Sequence, residues 1–223
     1  MSAGQLARRL LGDRWFPVVG RLYRRLFVDL RKVAEGLPKV PEGGHVLDVG
    51  AGDGELVNLL LPLNPGATAT LIDVAPAVGG WLRADLRDRV ELMPHTSVGA
   101  YAKLARRPVD VVILSDVLHH VPLAERPGLL AELRELLAGR AAKLVVKEVE
   151  PGSWRARLYY LADRFITGDR NVRFIRRDEV RKLVQGALPD AAWEETDLYR
   201  RNPPNYCLVF SVPGRQEGTD QGA

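Results

Sequence analysis

A glycine-rich turn directly after a short apolar segment is the part of this sequence best suited to holding a ligand. Residues 46–49 read Val-Leu-Asp-Val, and Gly50, Gly52 and Gly54 follow at alternate positions. Glycine permits a tight turn and lets the backbone approach a ligand closely, because no Cβ stands in the way. The run therefore predicts a buried strand, a ligand-binding turn and the start of a helix.

The charges near this turn indicate which kind of ligand it suits. A dinucleotide-binding G-x-G-x-x-G pattern would need glycine where this chain has Glu55. The carboxylate of Asp48 precedes the turn, and Asp73 follows the next apolar segment, residues 70–72. In doubly wound α/β folds an acid at that strand end accepts hydrogen bonds from ribose hydroxyls. Carboxylates at both places favour a cationic, hydroxyl-rich ligand over a pyrophosphate.

A third set of polar residues follows the apolar segment 109–115, which ends at Ser115 and continues with Asp116, His119 and His120. Ligands of open α/β sheets bind at the carboxyl ends of the strands, so these side chains should border the same crevice. Histidine titrates near neutral pH and can accept a proton from a hydroxyl group. We predict His120 or His119 as a general base. The alternative is a histidine that only caps or packs the next helix.

Together these segments resemble the motifs of class I S-adenosylmethionine (SAM) dependent methyltransferases, over about residues 40–213. The Leu-His-His-Val-Pro run at 118–122 resembles the small-molecule branch of that family. The resemblance implies in-line methyl transfer from SAM to a small molecule, more often at oxygen, with S-adenosylhomocysteine as product. The sequence contains no evident cluster of acids and histidines at metal-ligand spacing, so we expect no metal ion. The resemblance also implies a set of cofactor-binding residues: Asp48, Gly50, Ala51, Gly52, Asp73, Val74, Thr96, Ser115 and Asp116.

The chain departs from the family pattern after the third predicted strand. The family often places an acid there that binds the amino group of adenine, whereas residues 94–97 read Pro-His-Thr-Ser. We expect His95, Thr96, Ser97 or backbone groups to take over this contact.

Alternating apolar segments and helical patterns predict the elements that hold these residues. They favour an α/β fold with a doubly wound, mainly parallel, seven-stranded Rossmann-like sheet and an N-terminal helical extension. An antiparallel last strand is implied by the resemblance. The strands are predicted at 45–49, 68–73, 90–93, 109–115, 142–149, 192–199 and 206–212, and the helices at about 54–61, 76–87, 97–106, 123–138 and 178–187.

The predicted domain covers 42–213, with flanking segments of different character. Residues 1–41 have an amphipathic helical pattern and are expected to act as a lid, a packing helix or a membrane-surface helix. The resemblance implies a substrate-recognition insert at about 152–177. Its aromatic residues and arginines suit an amphipathic or anionic acceptor, or form a solvated basic face. The tail 214–223 is expected to be disordered. Glu148 and Glu150, at the carboxyl end of the fifth predicted strand, are expected as surface acids, and the alternative is that they face the substrate.

Composition excludes several classes of protein. The single cysteine, Cys207, rules out an internal disulfide framework and fits a cytoplasmic protein. No apolar run approaches the length of a membrane span, and charged residues interrupt the N-terminal apolar residues, so we expect neither a transmembrane segment nor a secretory signal. The net charge of +4 is too small to require a nucleic-acid partner.

Three alternatives remain open on the sequence. An RNA methyltransferase would use the basic N-terminal and 152–177 regions, although the chain has no obvious RNA-binding module. A scaffold protein would bind SAM without turnover. An NAD-dependent oxidoreductase is the weakest alternative, because Glu55 breaks its glycine pattern.

Overall fold

The structure, a computed structural model, describes residues 29–105, 107–162 and 172–214. In these ranges seven strands form one sheet with the order β3-β2-β1-β4-β5-β7-β6. Strands β1 to β5 pair in parallel, and β7 runs antiparallel to both β5 and β6. The strands are β1 (His45–Val49), β2 (Thr68–Ile72), β3 (Val90–Met93), β4 (Val111–Ser115), β5 (Ala142–Val149), β6 (Ala192–Glu195) and β7 (Asn205–Val212).

Helices cover both faces of this sheet, as the alternating pattern predicts. Side-chain caps fix the start of two helices: Asp29 accepts from the amide of Lys32, and Ser97 accepts from that of Ala100. The described helices are α1 (Leu30–Gly36), α2 (Glu55–Leu60), α3 (Val98–Leu104), α4 (Arg126–Leu137), α5 (Trp154–Ala162), α6 (Arg177–Ala187) and α7 (Leu198–Arg201), with 3-10 turns at Leu61–Leu63 and Ala84–Arg89.

The core consists of two layers separated by the sheet. Val46 of β1 belongs to the layer under α1, α2 and α5, whereas its neighbour Leu47 belongs to the layer under α3, α4 and α6. Every residue of β1 is buried, including the polar residues His45 and Asp48, as expected for a strand inside a parallel sheet that is covered on both faces. The predicted doubly wound, mainly parallel fold is confirmed.

The predicted helix at 76–87 is wrong. Only the 3-10 turn Ala84–Arg89 forms there, because the preceding backbone pairs with the glycine-rich turn instead of with itself. The amide of Gly79 donates to the carbonyl of Gly52 at 2.8 Å, and that of Trp81 donates to Asp53 at 2.9 Å. Gly79 also has a φ of +68°, which a helix does not accept.

Other boundaries differ at the edges. The predicted strand at 192–199 ends at Glu195, and α7 follows after a short turn. Most of the predicted N-terminal cover, and the tail beyond residue 214, lie outside the described residues. The last part of the cover is helical, and Val33 and Ala34 of α1 are buried in the core. Among the residues that the structure describes, no helix is long and apolar enough to span a membrane.

Candidate functional site

The glycine-rich turn has the conformation that its sequence demands. Gly50, Gly52 and Gly54 have φ values of +67°, +54° and +82°, a region that other residues rarely adopt. A Cβ on Gly50 would lie 2.8 Å from Cγ2 of Val117, whereas nothing lies within 4 Å of a Cβ on Gly52. The backbone at Gly52 therefore faces open space in which a ligand can approach it.

This space belongs to a pocket of about 1080 Å³ at the carboxyl ends of β1, β2 and β4. The structure brings together there nearly all the site residues predicted from the sequence. The lining residues among them are Asp48, Gly50, Ala51, Gly52, Asp73, Val74, Ser115, Asp116, His119 and His120. The exceptions are His95, Thr96 and Ser97, which do not belong to this lining. Thr96 is buried, and its hydroxyl donates to the carbonyl of Pro94 at 2.9 Å.

The end of the pocket near β1 and β2 is acidic. Burial raises the pKa of Asp48 to about 7, and the nearby charges of Asp73 and Asp53 act in the same direction. The carboxylate of Asp73 accepts from the amides of Gly52 at 3.0 Å and Ala75 at 2.8 Å, which fixes its orientation. Each carboxylate oxygen accepts more than one hydrogen bond, so this group can also accept from ligand hydroxyls.

The opposite end of the pocket contains a buried histidine–carboxylate pair. Nδ1 of His119 lies 2.5 Å from Oε2 of Glu148, and the His119 amide donates to Oε1 at 3.3 Å. Both side chains are almost fully buried. The rings of His119 and His120 are 4.1 Å apart, and Phe174 contacts His119 edge-on at 5.2 Å.

The expectation of Glu148 as a surface acid is wrong, because β5 lies between β4 and β7. Glu150 is only partly buried and accepts from the amide of Arg177.

An ion pair that sequence reasoning missed lies beside this pair. Lys147 is fully buried, and its Nζ lies 2.7 and 2.6 Å from the two carboxylate oxygens of Asp116. The Asp116 amide also donates to the Lys147 carbonyl at 2.9 Å, and Asp116 has an unfavourable φ of +60°. The sequence signal was weak, because β5 also contains Lys143 and Glu148.

These contacts gather acids and a histidine at metal-ligand distances, contrary to the expectation that the chain contains no such cluster. Ligand atoms of Asp116, His119 and Glu148 all lie within 4.8 Å of one another. The cluster was missed because its members come from two separate strand ends. The ammonium group of Lys147 already supplies a positive charge to Asp116 at this place.

The chain is similar to known proteins in sequence over part of its length and in overall fold. Residues 47–141 match a family model described as a methyltransferase domain. No curated protein sequence matches the chain.

Solved structures of similar fold include an O-methyltransferase family protein from Burkholderia thailandensis, with a TM-score of 0.70 and 18% identity over 97% of this chain and 65% of that one. An O-methyltransferase family 2 protein from Planctomyces limnophilus, in complex with apigenin, has a TM-score of 0.65 and 22% identity over 82% and 57%. Human N-acetylserotonin methyltransferase in complex with SAM has a TM-score of 0.64 and 15% identity over 96% and 61%. The chain thus spans less than two thirds of the length of each, and at these identities the likeness concerns the fold.

Proposed function

Because residues 47–141 match a methyltransferase domain, we propose that this chain is a class I SAM-dependent methyltransferase that transfers a methyl group from SAM to the hydroxyl oxygen of a small amphipathic molecule. The observation that carries the proposal is the composition of one pocket. A glycine turn with fixed carboxylates lies at one end, and a buried histidine–carboxylate pair lies at the other. The first suits a cationic nucleoside cofactor, and the second suits removal of a proton.

The residues at the acidic end fit the cofactor in charge and shape. Asp73 would accept from the ribose hydroxyls, as two acceptors facing two donors. Asp48 and the backbone at Gly50–Gly52 would hold the methionine portion, since the open backbone at Gly52 allows close approach. Val74 would cover the adenine, and Ser115 and Asp116 would border the transferred group. Thr96 would contribute indirectly, because its hydroxyl holds the loop after β3 in place beside the cofactor.

SAM, when bound, supplies a methyl group activated by its sulfonium. The chain's own task is to align the acceptor and to take up its proton. We assign the proton to Nε2 of His119, because Glu148 accepts from the Nδ1 side and favours that tautomer. The Glu148 carboxylate would then stabilise the imidazolium that forms. We assign to His120 a packing role against His119.

The outer wall of the pocket supports an uncharged, partly aromatic acceptor. It is largely apolar, and the described lining residues include no lysine or arginine, which argues against the anionic alternative. The apigenin complex of the Planctomyces limnophilus protein shows a phenolic molecule bound to a similar fold. The apolar wall residues are Leu30, Val121, Pro122, Leu129, Val149 and Tyr159.

We keep a cytoplasmic location as part of the proposal.

The cofactor assignment is tested by calorimetric titration with S-adenosylhomocysteine, SAM and NAD. We expect micromolar binding of the first two ligands and none of NAD. Asp73→Ala should weaken S-adenosylhomocysteine binding by about 1–3 kcal/mol, because charge-assisted hydrogen bonds are lost. Asp88→Ala, an exposed acid outside the pocket lining, serves as the matched control. Unchanged affinity in Asp73→Ala would remove the ribose assignment.

The base assignment is tested by comparing His119→Ala with His120→Ala on a panel of phenols that includes apigenin. His119→Ala should lower kcat by about 10²–10⁴-fold, the usual contribution of general base catalysis, while S-adenosylhomocysteine affinity stays unchanged. His120→Ala should have a much smaller effect. Wild-type turnover in His119→Ala, or a larger loss in His120→Ala, would contradict the assignment.

A further inference from the structure

The loop after β3 offers no carboxylate to the nucleobase of the proposed cofactor. Residues 94–97 contain no acid, and the Thr96 hydroxyl donates to a carbonyl of its own loop. Adenine carries an exocyclic amine with two donor hydrogens. A buried amine without an acceptor would cost binding energy, so an acceptor from another element is needed.

A carboxylate from α4 reaches this side of the pocket. Glu132 is half-buried, lines the pocket, and accepts from the amide of Gly99 at the start of α3 through Oε2 at 2.9 Å. A Cβ on Gly99 would lie only 2.7 Å from the other oxygen, Oε1. Gly99 therefore leaves room for the Glu132 carboxylate, and its amide fixes the position of that carboxylate through Oε2.

Backbone hydrogen bonds connect this position to the proposed ribose-binding acid. The amide of Thr96 donates to the Asp73 carbonyl at 2.9 Å, and the amide of His95 donates to the Ala75 carbonyl at 3.0 Å. Because α3 begins at Val98, directly after this loop, Glu132 contacts the β2–β3 side of the pocket. His119 and Glu148 lie on the β4–β5 side.

An apolar surface lies in the same pocket, suited to a flat ring. Val74 directly follows Asp73, lines the pocket and is 75% exposed. Val117 and Leu129 also line the pocket, and Leu129 precedes Glu132 by about one helical turn of α4. A ring attached to a ribose held by Asp73 would contact this surface before it reached the carboxylate.

We propose that Glu132 binds the exocyclic amine of the cofactor's adenine, in place of the acid that the β3 loop lacks, and that Gly99 is required to admit its carboxylate. The proposal rests on the proposed SAM-dependent function. It makes Glu132 a residue that selects adenine over 6-oxopurines, because a carboxylate accepts from an amine and repels a carbonyl oxygen.

The test is equilibrium binding of S-adenosylhomocysteine and S-inosylhomocysteine, which has a 6-oxo group where adenine has its amine. The wild-type protein should prefer the adenosine compound by about tenfold to a hundredfold. Glu132→Gln should reduce this preference by about tenfold or more, since the amide can donate to the 6-oxo group. Glu135→Gln, an exposed position on the same helix, should leave the preference unchanged.

A second variant acts on the same carboxylate from the other side. Gly99→Ala places a methyl group 2.7 Å from Oε1 of Glu132, which is too close for the carboxylate to keep its position. Alanine is otherwise favourable within a helix. It should reduce the preference for adenosine without lowering the melting temperature.

An unchanged preference in Glu132→Gln, or no preference in the wild-type protein, would overturn the proposal while the cofactor assignment stands. A wild-type protein that binds neither compound would overturn the cofactor assignment and this proposal together.

Discussion

At the residue scale, the carboxylates of the pocket differ in how their charge is compensated. Asp116 is paired with Lys147, and Glu148 is paired with His119. Asp48 instead has acidic neighbours, and burial together with those neighbours raises its pKa to about 7. A cationic ligand beside Asp48 would therefore favour its ionised form, so that ligand binding and proton release become linked near neutral pH.

Asp48→Asn should stabilise the folded protein at pH 8 by about 4 kcal/mol, from a shift of about three pKa units. The folded-state pKa of about 7 lies above the usual value of 3.8, so the folded state holds the proton more tightly. The stability that comes from this proton is present below pH 4 and is lost as the pH rises through 7. The Asp48→Asn variant has no carboxyl group to titrate at this position, so its stability should not fall in this way as the pH rises.

Urea denaturation at pH 5 and pH 8 measures the difference in free energy of unfolding. The variant should gain more stability relative to the wild type at pH 8 than at pH 5. An equal difference at both pH values would contradict the raised pKa of Asp48.

At the element scale, the glycine-rich turn depends on parts of the chain that do not follow it directly. Val117, after β4, packs against Gly50, and the segment before the 3-10 turn donates to Gly52 and Asp53. These contacts explain why a helical pattern at 76–87 did not become a helix. Local propensity was outweighed by tertiary hydrogen bonds and by glycines with positive φ.

Gly50→Ala should lower the free energy of unfolding by about 1–3 kcal/mol. The new Cβ would require a φ of +67° and would lie 2.8 Å from Cγ2 of Val117. Gly186→Ala is the matched control, because it lies in α6 with nothing within 4 Å of its Cβ. Urea denaturation of both variants measures the effect, and equal stability of the two would contradict the strained turn.

At the scale of the whole molecule, the pocket is lined from both layers of the fold. Leu30 of α1 and Tyr159 of α5 belong to one layer, and Leu129 of α4 belongs to the other. A ligand there contacts elements that are far apart along the chain. Its binding should therefore stabilise the domain as a unit rather than one loop.

S-adenosylhomocysteine at about a hundred times its Kd should add about 2.7 kcal/mol of stability by mass action. For a chain of this size the Tm should rise by roughly 5–10 °C. Differential scanning fluorimetry over a concentration series measures the shift. Asp73→Ala should need a higher concentration for the same rise, and a Tm unmoved at millimolar ligand would contradict the cofactor assignment.

Much of this fold could be predicted from local patterns. The strands β1, β3 and β5 lie where the sequence predicted them, because short segments rich in apolar and β-branched residues favour strands. The gathering of Asp48, the glycines and Asp73 at one pocket was predictable for a related reason. Parallel strands present their carboxyl ends at the same edge, so residues after consecutive strands meet there.

The contacts that only the tertiary structure decided join segments that are distant along the chain. His119 and Glu148 are 29 residues apart, Asp116 and Lys147 are 31 apart, and Gly99 and Glu132 are 33 apart. Sequence periodicity reports which face of an element is apolar, but not which residue of another element it meets. That is why Glu148 was expected at the surface and why Lys147 and Glu132 went unrecognised, although the strands and helices that carry them were predicted correctly.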